Sequence, residues 1–381
     1  MTQKKKILFI MTALNGGGAE KVLVTLLQNI DFARFDIELL LTRANGVHLS
    51  TIPQNIKVKA IFKSNFFRRI LLYLYRKIGS FLLIKIHLHR LCKQKYDAIV
   101  SFMEGEALFY HASLVDKSKN NIAWVHTNLK VHNWSKWFFY QNDDEKFYSL
   151  MQQIVFVSNN AQEGFDTLFP NLINIRKSVI NNIVDVSEII AKSKEYTEII
   201  KRKVMICTLA RLSPPKALDK LILAAKILKD QGYDFEVWIL GIGPLYEEFK
   251  VLIAKNDLND VIKLLGFFAN PYPILKQADI FVCTSIVEGF PIAISEALVL
   301  GLPVVATNIP AVSEILENGI YGVLTESTVE DIAQKLALLI TDVNVRRTYS
   351  TKSLVRSEQL FQLQNQLRNY YNVFCDNNIV S

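Results

Sequence analysis

The chain has 381 residues, half of them hydrophobic, with 44 Lys plus Arg against 36 Asp plus Glu and a net charge of +8. That length and apolar content suit two domains, each with its own core. No run reaches the roughly 18 uninterrupted apolar residues that a bilayer crossing needs, and Cys92, Cys207, Cys283 and Cys375 lie too far apart for a disulfide framework or a zinc site. Cys207 and Cys283 sit in apolar, strand-like runs and read as core thiols of a reducing compartment, so the chain is expected to be cytoplasmic or peripheral on the inner face of a membrane.

Residues 1–14 carry a basic cap and a short apolar run that could pass for a signal peptide. The next residues, Asn15-Gly16-Gly17-Gly18-Ala19-Glu20, do not form a small-residue cleavage site, so a buried first strand (7–12) entering a glycine loop explains the run better. A helix over 19–28 comes next, and then strands over 37–42, 99–102, 122–125, 154–157 and 179–182. Short buried strands alternating with helices predict an α/β fold with a doubly wound parallel sheet. The glycine cluster lets a backbone approach a ligand without Cβ interference, or simply makes a tight strand-to-helix turn. It has neither G-x-G-x-x-G spacing nor a following Gly-Lys-Ser/Thr, so it is neither a dinucleotide fingerprint nor a Walker loop.

Residues 63–95 hold nine Lys/Arg and no acid, interleaved with Phe66, Phe67, Tyr73, Tyr75 and Phe81, which leaves the rest of the chain at about −1. Cations mixed with apolar side chains suggest a helix lying on an anionic membrane surface, with Gly79-Ser80 as a break. The plainer alternative is a buried helix with a solvated basic side. Nucleic acid is not expected, because no recognition motif accompanies the charge. His126 ends the apolar run Trp124-Val125, where strand ends face a ligand crevice, whereas His111 and His132 have no such placement.

The charged stretch 183–203 carries no strand signal and reads as a linker between a domain over 1–182 and a second over 204–356. The second series opens with a strand from Val204, a helix over 218–228 and the strand-like FEVWIL. In Leu209-Ala210-Arg211-Leu212-Ser213-Pro214-Pro215-Lys216 two cations stand at a strand end, where Arg can hold a diphosphate by paired hydrogen bonds and Lys as a point charge. Gly241-Ile242-Gly243-Pro244 forms another strand-to-helix turn. Next come a buried strand over 280–283, the loop Glu288-Gly289-Phe290-Pro291, a helix over 292–300 with Pro291 at its first position, a stop at Gly301-Leu302-Pro303 and a further strand. One glutamate comes just after the strand and the other, Glu296, lies about two turns on, so both carboxylates can face the crevice at the strand ends. A closing helix over 357–377 carries Leu360, Leu363, Leu367 and Tyr371 at helical spacing.

The stretch from Glu288 to Leu324, with E-G-F-P-x-x-x-x-E at its head, resembles the signature of the retaining glycosyltransferases of GT-B fold, family 4. The match is sharp over 204–325 and looser over the first 182 residues. Ala210 and Ala217 stand where the family's G-R-L-x-x-x-K-G pattern has Gly, and Ala311 or Val312 where it has another.

The resemblance implies two Rossmann-like domains flanking a cleft, with the C-terminal segment (357–381) crossing back to the first. It implies transfer of a sugar, with retention, from a nucleotide-diphosphate donor, UDP-linked in this reading. The acceptor would be a glycan or lipid-linked glycan of bacterial surface polysaccharide assembly. It gives His126 a contact with the donor sugar, Glu288 the sugar hydroxyls, Glu296 the nucleotide ribose, and Arg211 and Lys216 the diphosphate. Gly17, Gly18, Gly289, Phe290, Pro291 and Ile292 would complete the donor site. No cofactor is implied, and the lack of an Asp-x-Asp motif predicts metal independence. Two other readings stay open: an inactive glycosyltransferase-like partner subunit, and a nucleotide-sugar epimerase on the same fold.

Overall fold

The computed structural model describes residues 3–79, 81–140 and 144–375. Ser80, residues 1–2 and the end of the expected closing helix at 376–377 lie outside them. Two compact units result, one running up to Ile183 and resuming at Leu363, the other spanning Val184–Gln362.

The first unit contains, in chain order, β1 (Lys5–Met11), α1 (Gly18–Asn29), β2 (Phe35–Leu41), β3 (Lys57–Ala60), α2 (Asn65–Ile78), α3 (Leu82–Leu91), β4 (Ala98–Ser101), α4 (Glu106–Ala112), β5 (Asn121–Val125), α5 (Asp144–Tyr148), β6 (Gln153–Phe156), α6 (Asn159–Leu168) and β7 (Arg176–Val179). The second contains α7 (Val186–Lys192), β8 (Val204–Leu209), α8 (Leu218–Asp230), β9 (Phe235–Leu240), α9 (Tyr246–Lys255), β10 (Ile262–Gly266), α10 (Tyr272–Leu275), β11 (Ile280–Cys283), α11 (Ile292–Val299), β12 (Val304–Thr307), α12 (Pro310–Ile315), β13 (Val323–Thr325), α13 (Val329–Thr341) and α14 (Val343–Leu360), after which α15 (Leu363–Phe374) rejoins the first.

Among the described residues the sheets run β3-β2-β1-β4-β5-β6-β7 and β10-β9-β8-β11-β12-β13, with the paired strands parallel. These are the doubly wound parallel sheets that the alternating pattern predicted, and the two Rossmann-like domains that the resemblance implied. Strand order reverses between β1 and β4 in one sheet and between β8 and β11 in the other, and open α/β sheets bind ligands beyond the strand ends at such a reversal. The central strands are buried throughout, which is why they read as continuous apolar runs. Cys207 and Cys283 lie inside as expected, at 0% and 9% exposure.

Several boundaries differ from the sequence expectation. β3 went unread because it is a four-residue edge strand carrying Lys57 and Lys59, the latter held by Glu38 at 2.6 Å. The last strand of the first unit lies at Arg176–Val179, not 179–182, since Arg176 and Lys177 mask it with charges that pair with Gln153 and Asp166. Residues 183–203 are not a linker. Asp185 caps α7 by accepting from the Glu188 amide, and Ile189 buries the helix in the second unit.

The closing helix is two helices broken at Phe361, whose φ of −112° and ψ of 53° leave the helical region. α14 stays with the second unit, where Ser350 and Ser353 donate to the Gly301 and Leu302 carbonyls, each at 2.7 Å. α15 packs on the first, with Tyr370 stacked on Trp124 at 4.9 Å and Phe374 edge-on to Phe9.

Candidate active site

In the first unit the chain leaves β1 at the strand reversal through the glycine loop. Gly17 caps α1, and Gly18 is its first residue. The Glu20 carboxylate folds back to accept from the Gly16 and Gly17 amides at 2.6 and 3.0 Å, a capping arrangement that ties down the loop expected to help complete the donor site.

β4, on the other side of the reversal, delivers Glu104, a residue that the sequence pattern did not single out. Glu104 is 1% exposed and accepts from the His126 backbone amide and from Trp134 Nε1, both at 3.0 Å. Burial raises its carboxyl above the usual range, against the pull of those hydrogen bonds. The available signal was its position: an acid three residues past a strand, next to the strand that ends at His126.

His126 packs on Phe102 with ring centroids 5.0 Å apart. Burial pushes its imidazole down to about 3, only partly offset by a hydrogen bond to the Phe102 backbone, so the ring is neutral. Its Nε2 is buried and has no hydrogen-bond partner among the described residues. With the proton on the nitrogen that faces a carbonyl, Nε2 is left as an acceptor able to take a hydroxyl. His111 shows the contrast: both its ring nitrogens are satisfied, by Ser101 and Asn121, which makes it a structural core histidine.

In the second unit three strand-end loops lock together. Gly241 has a φ of 135°, and a Cβ there would fall 1.9 Å from the Ala210 carbonyl, so only glycine lets the loop after β9 lie against the loop after β8. Leu212 donates to Ile242, Leu245 to Leu212 and Gly241 to Gly266 along that seam. The β8 loop also binds the β11 loop, with Ile286 donating to the Pro215 carbonyl and Thr284 Oγ1 to the Lys216 carbonyl, each at 2.9 Å.

This brings Lys216 to Glu288 at 2.5 Å, with side chains 26% and 14% exposed. Burial alone would lower the Lys216 ammonium, but the Glu288 carboxylate and the Cys283 thiol together outweigh it and hold the group above its usual value. Arg211, one turn of loop away, is exposed, and its guanidinium has no hydrogen-bond or ion partner among the described residues. Ala217 sits in the left-handed region at φ 44°, ψ 43°. That explains why a glycine suits this position: alanine's Cβ strains it.

Gly289, Phe290 and Pro291 are buried, and Ile292 is half-buried. Pro291 is the cap of α11, not its first residue, with its carbonyl already accepting from Ile294 and Ser295. Glu296 is 2% exposed, and its Oε1 accepts from the Tyr272 hydroxyl of α10 at 3.1 Å. Tyr272 is the partner that the sequence could not supply, since it comes from another helix. The structure thus joins Lys216 to Glu288 and Glu296 to Tyr272 in one unit, and Glu104 to His126 and Trp134 in the other.

Residues 190–354 match the family described as Glycosyl transferases group 1. Over 145 residues the chain is 39% identical to the amylovoran biosynthesis glycosyltransferase AmsK of Erwinia amylovora, covering 35% of this chain and 34% of that protein. Over 203 residues it is 29% identical to the Campylobacter jejuni N-acetylgalactosamine-N,N'-diacetylbacillosaminyl-diphospho-undecaprenol 4-alpha-N-acetylgalactosaminyltransferase, covering 52% and 54%. The aligned stretch thus spans about a third of the length of the first curated relatives it matches. The fold is similar to that of Anabaena Alr3699/HepE in complex with UDP and glucose, with a TM-score of 0.77 and 20% identity over 97% of this chain and 98% of that one.

Proposed function

We propose that this chain, GT-B in fold and carrying a glycosyl transferases group 1 segment, is a retaining glycosyltransferase. It would move a sugar from a nucleotide diphosphate to a glycan of bacterial surface polysaccharide. The observation that carries the reading is the Lys216–Glu288 pair, which sets a cation and a carboxylate side by side at the strand reversal of the second unit, within the matched segment.

Transfer breaks the bond from the sugar's anomeric carbon to the diphosphate and forms one to an acceptor hydroxyl, whose proton leaves with the diphosphate. Negative charge grows on the leaving group, so Arg211 and Lys216 stabilise the transition state more than the ground state. Glu288, already turned to Lys216, would take sugar hydroxyls while keeping that ammonium oriented. His126 Nε2 would accept from a further hydroxyl. Glu296, held by Tyr272, would receive the ribose. Gly17, Gly18 and the Gly289–Ile292 backbone would line the donor.

UDP is the first nucleotide to try, because the Anabaena protein of like fold holds it. A lipid-linked acceptor is the first to try, because the Campylobacter relative's name specifies a diphospho-undecaprenol substrate. The reaction is proposed to need no metal, on the missing Asp-x-Asp motif.

A melting screen with UDP, GDP, ADP and their common sugars tests the donor, since a ligand that binds only the folded state raises its stability by about 2.7 kcal/mol at a hundredfold excess over Kd. One nucleotide should stabilise the parent and not Lys216→Gln, and transfer with that donor should persist in chelator and yield the retained anomer by NMR. Loss of activity in chelator, restored by manganese, removes metal independence. Absence of any nucleotide binding turns the reading to an inactive partner subunit, and a change of sugar configuration without acceptor turns it to an epimerase.

A further inference from the structure

We propose that α2 and α3 together form a docking surface for an anionic lipid bilayer. The lipid-linked acceptor reading supplies the biological purpose of such a surface, and the physical case for it stands apart from that reading.

α2 divides into two faces. Arg68, Leu71, Leu72 and Tyr75 recur at helical spacing on the inner side, where Arg68 meets Glu106 at 2.7 Å and the Tyr75 hydroxyl accepts from the Tyr140 amide at 3.1 Å. α3 is fixed likewise by Ile84 and Leu88, and by His87, which bonds the Ile61 carbonyl and stacks on Phe62. With their inner faces anchored, neither helix can turn to bury the other side.

That other side is strongly apolar. Phe66 is 75% exposed, Tyr73 60%, Ile78 68% and Leu82 61%, and Phe67, Ile70, Leu83 and Ile86 are exposed beside them. Eight of the 25 exposed large apolar residues among the described residues thus fall within 21 consecutive positions. A buried helix with a solvated basic side would show the reverse arrangement.

Cations are interleaved with them: Arg69 and Lys77 on α2, Lys85 and Arg90 on α3 and Lys93 just after it. On α3 they border a shallow recess of about 470 Å³ floored by Leu82 and Ile86. Apolar side chains that enter the acyl boundary beneath cations that stay at the phosphates are the pattern of a helix lying in the interface. None of the described helices is long and apolar enough to cross.

Charge selects the occupant. Residues 63–95 hold no acid, so a second copy docking through the same face would meet it with like charge. Nucleic acid would satisfy the cations and leave the eight apolar side chains in water.

The test is flotation of the full chain with neutral phosphatidylcholine vesicles and with vesicles containing about 30% phosphatidylglycerol. One variant carries Arg69→Gln, Lys77→Gln, Lys85→Gln and Arg90→Gln, and another Phe66→Ser, Tyr73→Ser and Leu82→Ser. All seven positions are exposed, so both variants should melt like the parent. The parent should float with the anionic vesicles only, and each variant should lose about tenfold or more in bound fraction. Equal binding by the variants, no binding by the parent, capture of an RNA oligomer in preference to vesicles, or dimerisation through this face would each overturn the proposal. Vesicle binding without nucleotide binding would sink the transferase reading and leave this one standing, and the opposite pair of results would do the reverse.

Discussion

A carboxyl group taken out of water holds its proton more tightly, and Glu104 is such a group, with two N–H donors fixed on it. Its folded value is raised, so its proton-linked stability is fully present below the ordinary glutamate range and is lost as pH rises through the raised value. Glu104→Gln abolishes that titration. The stability gap between parent and variant, from urea melts, should therefore be widest at acid pH and shrink towards neutrality. A gap that does not change with pH would show that Glu104 titrates normally. Removing the acceptor altogether, in Glu104→Ala, leaves both half-buried donors without it and should cost about 1–3 kcal/mol. Because one of those donors is the His126 amide, the variant should also disturb whatever Nε2 receives.

At the scale of the element, α15 shows how a helix with modest apolar content becomes indispensable. Its buried side is Gln366, Leu367, Tyr370, Val373 and Phe374, inserted among Phe9, Phe35 and Trp124. Asn120 Nδ2 donates to the Val373 carbonyl at 3.0 Å, and the Tyr371 hydroxyl accepts from the Asp31 amide. Tyr370→Ala empties a fully buried ring site against Trp124 and should destabilise the chain by about 3–5 kcal/mol. Trp124 emission, now stacked at an interplanar angle of 8°, should shift with it. A loss below about 1 kcal/mol would mean that α15 contributes little to the first core.

For the whole molecule, the net charge of +8 describes one segment better than it describes the chain. Exposed charges interact within a screening length of about 10 Å at 0.1 M salt and about 3 Å at 1 M. Association of the parent with anionic vesicles should therefore weaken steeply between those salt concentrations, while nucleotide-induced stabilisation, built on the half-buried Lys216–Glu288 pair, should weaken less. If both responses fell in parallel, the basic segment would not be the separate electrostatic element inferred for it.

What the sequence determined by itself was what short-range chemistry encodes. Strands β9 and β11 could be read to the residue, and β8 at its first residue, because a parallel strand buried on both faces must be a continuous apolar run. The turn at Gly301-Leu302-Pro303 was equally legible, since its backbone demands those residue types. Glu288, Lys216 and His126 could be nominated from strand ends and a family resemblance.

Tertiary structure alone decided the partners. Glu288 and Lys216 are 72 residues apart, Tyr272 and Glu296 come from different helices, and Glu104 acquires its role only when β4 and β5 lie side by side. It alone decided that the apolar side chains of α2 and α3 face outward, because periodicity reports that a helix has two faces but not which one its neighbours cover. Edge strand β3, the true bounds of edge strand β7 and the break at Phe361 escaped for the same reason: their local signals are weak or charged, and long-range pairing supplies the free energy that sets them.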